Sequence, residues 1–274
     1  MLAMIFESKL GYVKTMWIDS HCHMDNELLC QNSKKVISAS IAEGVDHIII
    51  PSVSKYNFDK VIKVAGKHKQ CVYALGLHPM HLSGFENSDL ELLEYYLLNN
   101  NSVAVGEIGL DFFVRKDNQS LQESVFLAQL KIAKKYDLPV IMHVRGAIDL
   151  VLKNLRKIKV RGGIAHAFNG SFQQAHQLIE LGFKLGFGGA MTYSRAKHIQ
   201  KLAKELPIEA IVLETDSPDM APAWLASGEK NQPKELSKIA DFFCHLRGLE
   251  PSKTADIIRN NTVEAIPKLA KLCT

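Results

Sequence analysis

Cysteine is scarce in this sequence, and it forms neither a disulfide framework nor a thiolate metal pattern. The 274 residues contain five cysteines, an odd number, and they are scattered without a CxxC pair. Small secreted folds that depend on disulfides are therefore excluded. Such cysteine usage suits a reducing compartment, and we predict a cytoplasmic location.

Long apolar runs are absent as well. No stretch of about 18 consecutive apolar residues occurs, so the sequence predicts no transmembrane helix and no membrane association. Residues 1–15 carry Glu7, Lys9 and Lys14 among apolar residues and do not form a signal peptide. We interpret residues 1–15 as an N-terminal extension and residues 16–274 as one domain, because this length suits a single large core.

A strong charge of one sign is also missing. The 33 lysine and arginine residues stand against 29 aspartate and glutamate residues, so that the net charge is +4. Nucleic acid binding is allowed by this charge but not indicated by it. The densest basic cluster, within residues 153–161, is typical of a solvated helix face. No exposed heptad pattern or long apolar patch indicates an obligate protein partner.

Short apolar runs alternate regularly with segments of helical periodicity. The predicted strands are residues 17–19, 47–53, 72–77, 103–108, 140–144, 163–167, 184–188 and 211–214. Two of the intervening helices follow apparent capping boxes, Ser88-x-x-Glu91 and Ser120-x-x-Glu123. Eight strand–helix units in about 250 residues favour an α/β fold of the (β/α)8 TIM-barrel class. A doubly wound open sheet is the alternative, but the chain lacks a glycine-rich nucleotide fingerprint.

Metal-capable side chains follow the ends of these apolar runs. His21 and His23 lie at i and i+2 after the first run, on the same face of the strand end. Four further residues of this kind follow later runs, namely Glu107, His143, His166 and Asp216. Because active sites of such barrels form at the carboxyl ends of the strands, we expect all six to share one site.

Imidazole and carboxylate ligands without thiolate indicate a hydrolytic metal site. Such a set suits Zn, Mn, Fe or Co, and with more carboxylate also Mg. A carboxylate between two histidine groups can bridge two ions, and a pair of ions can bind phosphoryl oxygens while activating water. Asp216 is placed to accept the proton of that water or to hold the ion that activates it.

Five ordered motifs resemble the signatures of the TatD family of metal-dependent hydrolases. They are residues 21–25 (HCHMD), 106–111 (GEIGLD), 138–143 (LPVIMH), 166–170 (HAFNG) and 213–218 (LETDSP). The resemblance extends from about Met16 to the C-terminus, and residues 188–193 (GGAMTY) are most similar to the YjjV-type branch.

The resemblance implies a barrel of the amidohydrolase type with two divalent metal ions per subunit, Mg, Zn or Mn. His21 and His23 would hold one ion with Asp216, Glu107 would bridge, and His143 with His166 would hold the second. Members of the family act as deoxyribonucleases, typically as 3′-to-5′ exonucleases on single-stranded DNA. The implied catalytic residues are Asp216 and Glu107, and the implied partner is DNA with single-stranded ends. Glu107, where related barrels carry a modified lysine, argues against the phosphotriesterase-like and dihydroorotase-like branches.

Two further positions are candidates for substrate binding. His78 resembles a family position near the substrate phosphate, although a loop-packing histidine is the alternative. Arg145 could clamp a phosphate oxygen bidentately, or it could pair with a neighbouring carboxylate. Asp25 and Asp111 could each orient a ligand histidine, with an ordinary loop aspartate as the alternative. Lys230 stands where the family often has arginine, which puts substrate contacts there in doubt.

Two other functions stay open on the sequence alone. The first is a metal-dependent hydrolase of another ester or amide, such as D-aminoacyl-tRNA. The second is a binding protein that has kept the fold without catalysis. The complete ligand set argues against the second, because a decayed site would be expected to have lost at least one ligand.

Overall fold

Eight short parallel strands form the frame of the molecule. The computed structural model describes residues 15–114 and 117–271, so the predicted N-terminal extension lies almost wholly outside the described residues. The strands are β1 (Trp17–Asp19), β2 (Val45–Pro51), β3 (Cys71–Ala74), β4 (Val105–Asp111), β5 (Val140–Arg145), β6 (Gly163–Ala165), β7 (Phe183–Phe187) and β8 (Ile211–Leu213). Most of their residues are buried, as expected for parallel strands that are covered on both faces.

The strands close into a ring through two seams. Strands β1 to β3 pair in order, and so do β4 to β8. At the seam of β3 and β4, Gly106 N donates to Leu75 O at 2.9 Å. At the seam of β8 and β1, Ser20 N donates to Leu213 O at 3.1 Å and Asp216 N to His21 O at 2.9 Å. The (β/α)8 barrel is thus confirmed, and the open sheet is excluded.

Helices cover the outside of the ring. Those in the described residues are α1 (Glu27–Cys30), α2 (Ser33–Ala42), α3 (Phe58–Gly66), α4 (Ser88–Asn99), α5 (Gln119–Lys135), α6 (Ile148–Lys157), α7 (Phe172–Glu180), α8 (Lys197–Glu205), α9 (Leu236–Arg247) and α10 (Pro251–Ala265). In α6, Val151, Leu152 and Leu155 are buried against the sheet, whereas Lys153 and Arg156 face solvent. The basic cluster is therefore the solvated face that its pattern predicted. In residues 15–114 and 117–271, no helix has the length and apolarity needed to cross a bilayer.

The two predicted capping boxes are wrong. Helix α4 starts at Ser88 itself with Asn87 as its cap, and α5 starts at Gln119, before Ser120. The hydroxyl of Ser88 instead donates to the Glu86 carboxylate at 3.3 Å. A capping box does occur at α7, where the Ser171 hydroxyl accepts from Gln174 N at 3.1 Å.

The interior of the barrel is packed below the strand ends. Ile141 and Ile164 precede His143 and His166 by two residues, so they lie on the same inner face of their strands. Both belong to a buried apolar cluster that also contains Ile266 and Leu269 from the chain after α10. This apolar floor leaves the carboxyl ends of the strands as the place where polar side chains can gather.

Candidate metal centre

All six predicted ligands lie together at the carboxyl ends of the strands. His21 and His23 follow β1, Glu107 and His143 lie in β4 and β5, and His166 and Asp216 follow β6 and β8. His21 Nε2 lies 3.2 Å from Glu107 Oε2 and 3.5 Å from Asp216 Oδ1. The barrel thus brings together residues that are distant in the sequence, as expected from strand-end positions.

Glu107 lies between two groups of histidines. Its Oε2 faces His21 at 3.2 Å and His23 at 3.7 Å, whereas its Oε1 faces His143 at 3.2 Å and His166 at 3.3 Å. The side chain is buried, which alone would raise its pKa, but the surrounding imidazoles outweigh burial and hold the pKa well below its usual range. An ionised carboxylate with one oxygen toward each group has the arrangement of a bridging ligand.

In His143 and His166, a carboxylate beside one ring nitrogen determines that the other ring nitrogen faces Glu107. Asp111 Oδ2 lies 2.9 Å from His143 Nε2, and Glu214 Oε1 lies 3.3 Å from His166 Nδ1. Carboxylates at these nitrogens favour a proton there, so that His143 Nδ1 and His166 Nε2 are the nitrogens whose lone pairs would bind a cation in the cluster. Asp111 therefore orients His143, a candidate ligand. This agrees with the interpretation of Asp111 as a partner of a ligand histidine and not with that of an ordinary loop aspartate.

In His78, unlike His143 and His166, the nitrogen that faces Glu107 is the one that carries the proton. It lies 3.3 Å from Glu107 Oε1, and its ligand atom is grouped with those of Glu107 and His143 within 4.8 Å. However, His78 Nδ1 accepts a hydrogen bond from Met80 N at 3.1 Å. Burial lowers the pKa of His78 to about 4, so that the ring is neutral and carries its proton on Nε2. A protonated Nε2 is a hydrogen-bond donor, here directed at Glu107 Oε1, and not a metal ligand, so this geometry argues against metal binding by His78.

The donor set fits a divalent cation. His21 Nε2 and His23 Nε2 face each other at 3.3 Å beside two carboxylates, and His21 Nδ1 is buried without a hydrogen-bond partner in the described part of the chain. Burial alone would lower the pKa of His23 and His166, but the neighbouring carboxylates, Asp216 for His23 and Glu107 first for His166, raise these values to about 9 and about 10. Protons on His23 and His166 thus compensate the negative charge of the carboxylates. A bound cation would supply this positive charge in place of the protons.

Asp216 is ionised in this surrounding. Burial opposes its charged form, but His166, His23 and His21 outweigh burial and lower the pKa of the Asp216 carboxyl. Its Oδ1 lies 3.5 Å from both His21 Nε2 and His23 Nε2. The same side chain lines the cavity above the cluster, where it can accept a proton.

Glu214 is a functional candidate that the sequence reasoning missed. It is buried, and its Oε1 accepts from Ala167 N at 2.6 Å beside the contact with His166. Gly186 leaves room for it, since a Cβ at that position would lie 2.2 Å from Glu214 Oε2. The available signal was the position of Glu214, directly after β8 and in the same motif as Asp216.

Two other aspartates have structural partners. Asp25 Oδ2 accepts from Asn57 Nδ2 at 2.9 Å, a loop contact that agrees with the ordinary alternative for this residue. Asp19 accepts from Thr215 N at 2.9 Å and from the Thr215 hydroxyl at 2.6 Å, and burial raises its pKa to about 8. Asp19 thereby ties the end of β1 to the segment that carries Asp216.

A cavity of about 940 Å³ opens above the cluster and is lined by both predicted substrate-binding residues, His78 and Arg145. Arg145 is exposed, and its guanidinium carbon lies 4.0 Å from the centre of the Phe113 ring. No carboxylate in residues 15–114 and 117–271 forms an ion pair with it, so the alternative of a paired arginine is not observed there. Lys230 is exposed and does not line this cavity.

Comparisons with known proteins agree with the motifs. A family model described as TatD related DNase matches residues 18–267. The Escherichia coli K12 protein named uncharacterized metal-dependent hydrolase YjjV is 36% identical over 249 residues, which cover 90% of this chain and 96% of the relative. The crystal structure of YjjV, a TatD homologue, matches with a TM-score of 0.88 at 35% identity over 92% of this chain and 98% of that chain. A TatD family hydrolase from Entamoeba histolytica shares the fold, with a TM-score of 0.81 at 20% identity over 92% of this chain and 98% of that chain.

Proposed function

The chain belongs to the TatD family of metal-dependent hydrolases, and from this premise we propose that it is a deoxyribonuclease that removes nucleotides from the 3′ ends of single-stranded DNA. The observation that carries the proposal is Glu107, a buried carboxylate with one oxygen directed to each of two histidine groups. Paired ions a few ångströms apart are a recurring arrangement for phosphodiester hydrolysis.

We assign the ligands of two divalent ions from these contacts. His21, His23 and Asp216 would hold one ion, His143 and His166 the other, and Glu107 would be shared. Histidine and carboxylate ligands suit Mg, Mn or Zn. When bound, the ions supply a nucleophilic water near neutral pH and neutralise charge that develops on the phosphoryl oxygens.

The side chains have separate tasks in the proposed reaction. His78 Nε2–H and the Arg145 guanidinium hold oxygens of the scissile phosphate. Asp216 accepts the proton of the attacking water. The water oxygen forms a bond to phosphorus, the bond to the 3′ oxygen of the preceding nucleotide breaks, and that oxygen takes up a proton from solvent.

The location and domain organisation are part of the same proposal. We propose that residues 16–274 act as one domain in the cytoplasm and need no obligate protein partner. The cysteines in the described residues are free, which supports a reducing compartment.

An oligonucleotide assay tests the proposed activity. Purified protein is incubated with single-stranded DNA labelled at the 5′ end, with Mg²⁺, Mn²⁺ or Zn²⁺ and with chelator. We expect a ladder of stepwise shortened products that chelator abolishes. Asp216→Asn should lower the rate by roughly 100-fold or more, because a positioned general base contributes about that factor.

Asp137→Asn is the matched control, since Asp137 is exposed and pairs with Arg161 outside the cavity. Its rate should equal that of the wild type. Intact DNA with metal-loaded protein would contradict the nuclease proposal. Release of the acyl group from a charged D-aminoacyl-tRNA under the same conditions would then support the alternative substrate.

A further inference from the structure

An exposed aromatic ring lies at the mouth of the cavity. Phe113 lines the cavity and is 65% exposed, whereas Phe168 and Phe187, which also line it, are buried. Phe113 is distinguished from other exposed apolar side chains by its place in the lining of this cavity, where its ring is free to contact a bound substrate.

Arg145 covers only one face of this ring. Its guanidinium carbon lies 4.0 Å from the ring centre, and the exposed area of Phe113 leaves the remainder of the ring to solvent. The guanidinium has no carboxylate partner in the part of the chain that the structure describes. Phe113 and Arg145 therefore form a flat aromatic platform with an unneutralised positive charge behind it.

The backbone holds this platform in place. Asp111 Oδ1 accepts from Phe113 N at 3.0 Å and from Val114 N at 2.9 Å. Phe112 N donates to Arg145 O at 2.9 Å, which ties the loop after β4 to the end of β5. Asp111 Oδ2 also contacts His143 Nε2. The position of the ring is thus set relative to the candidate metal ligands.

From this arrangement we propose that Phe113 and Arg145 form a subsite on which an unpaired nucleobase stacks, next to the scissile phosphate. The proposal rests on the proposed nuclease function and specifies how its substrate is recognised. Every base has a π face, and proteins that bind single strands use aromatic rings and arginine in this way. A base inside a duplex is already stacked on both sides, so the subsite selects single-stranded ends.

A second cavity gives the rest of the strand a path. It measures about 480 Å³, shares Gly146, Ile148 and Asn169 with the first cavity, and is lined by Phe112. The two cavities therefore adjoin on the side of the platform, and a strand whose terminal base lies on Phe113 can continue there.

Steady-state kinetics on two substrates test the subsite. One substrate is a natural single-stranded oligonucleotide, and the other has abasic sites at its three 3′-terminal positions. Phe113→Ala should raise KM for the natural substrate roughly 5- to 150-fold, as expected for the loss of one stacked base, with kcat nearly unchanged. Phe113→Trp should keep the wild-type KM. On the abasic substrate, wild type and Phe113→Ala should be equal.

Tyr95→Ala is the matched control, because Tyr95 is an aromatic residue of α4 that is 61% exposed and does not line the cavity. It should leave KM unchanged. Binding is measured separately by fluorescence anisotropy of a labelled oligonucleotide with Asp216→Asn protein, with and without Phe113→Ala, so that hydrolysis is not required. The dissociation constant should rise by a similar factor.

The two measurements separate the subsite from the activity. Hydrolysis with a KM and a dissociation constant that Phe113→Ala changes less than twofold would overturn the subsite and leave the nuclease proposal standing. Binding that depends on Phe113 without any hydrolysis would support the subsite and contradict the nuclease proposal. Absence of oligonucleotide binding in both proteins would overturn the subsite.

Discussion

Asp111 performs two tasks with its two carboxylate oxygens. Oδ2 contacts His143 Nε2 at 2.9 Å, and Oδ1 accepts from the backbone of Phe113 and Val114. Burial raises its pKa, but the bond to His143 and the backbone donors outweigh burial and lower the pKa to about 2. The carboxylate is therefore charged at all working pH values and holds one histidine tautomer.

Asp111→Asn should separate these tasks. The amide oxygen can still accept from the loop, whereas the amide nitrogen cannot accept from His143 Nε2–H. We expect metal affinity to fall about 10- to 100-fold, the usual effect of losing the partner of a ligand histidine. A competitive Zn²⁺ titration against a chromophoric chelator measures this, with Asp137→Asn as control. An affinity within twofold of the wild type would contradict the assigned role.

At the residue scale, the sequence predicted side chains whose position depends on strand ends. Glu107, His143 and Asp216 come together because the barrel dictates where strand ends meet. Phe113 could not be predicted in this way, since an aromatic residue in a loop has no periodicity that shows whether it is covered. The tautomer of His78 depends on the Met80 backbone, which only the folded loop reveals.

At the scale of elements, strand β7 carries Gly186 at the position where the Glu214 side chain, at the end of β8, occupies the adjacent space. A Cβ at Gly186 would meet the Glu214 carboxylate at 2.2 Å and displace it from His166. Gly186→Ala should lower the free energy of unfolding by about 1–3 kcal/mol, the usual cost of overpacking, and should also weaken metal retention. Urea denaturation and metal content after dialysis measure the two effects.

Gly66→Ala is the control for this substitution, because a Cβ at the end of α3 meets nothing within 4 Å. It should be neutral or stabilising by up to about 1 kcal/mol, since alanine favours the helix. If both variants behaved alike, the steric argument at Gly186 would be wrong.

The stabilisation of the N-terminus of α10 by Glu250 should decrease at low pH. The exposed carboxylate of Glu250 accepts from the Ser252 hydroxyl and from the Lys253 and Ser252 backbone, which lowers its pKa from 4.5 to about 2. Its contribution to stability is complete above the unfolded pKa and is lost as the pH falls toward the folded value. Glu250→Gln should therefore lower Tm at neutral pH, and the difference should shrink as the pH falls below about 4.5. A Tm difference that is constant with pH, measured by calorimetry, would contradict this.

Strands were easier to predict than helix starts. All eight strands lie within three residues of their predicted bounds, because buried parallel strands are short apolar runs between polar segments. Helix α4 begins at Ser88 itself and α5 begins one residue before Ser120, because a serine followed by a glutamate also suits the first turn of a helix. A serine followed three residues later by a glutamate therefore does not show whether the serine is the N-cap or lies in the first turn.

At the scale of the whole molecule, the ring depends on the seam between its first and last strands. Thr215 donates to Asp19 at 2.6 Å and accepts from the Ser217 hydroxyl at 2.7 Å, and both threonine and aspartate are fully buried. Thr215→Val keeps the shape but leaves Asp19 with fewer donors. We expect a loss of about 1–3 kcal/mol in the free energy of unfolding, the cost of a buried group without its partner.

Thr215→Ser keeps the hydroxyl and loses only a methyl group, so it should recover most of this stability in the same urea titration. Equal losses in the valine and serine variants would assign the effect to packing. Ring closure itself was predictable from the number of units and the length, whereas the hydrogen bond between Asp19 and Thr215 was not, since no sequence pattern shows which buried polar side chains pair.

The order in which the chain is synthesised gives the seam a further consequence. His21 and His23 leave the ribosome early, but Asp216 follows only after most of the 274 residues have been translated. A prematurely terminated product that ends before β8 retains the histidine pair and lacks both Asp216 and the last strand of the ring. Incomplete translation products of this protein would thus lack a complete candidate metal centre and could not act as metal-dependent hydrolases in the cell that makes them.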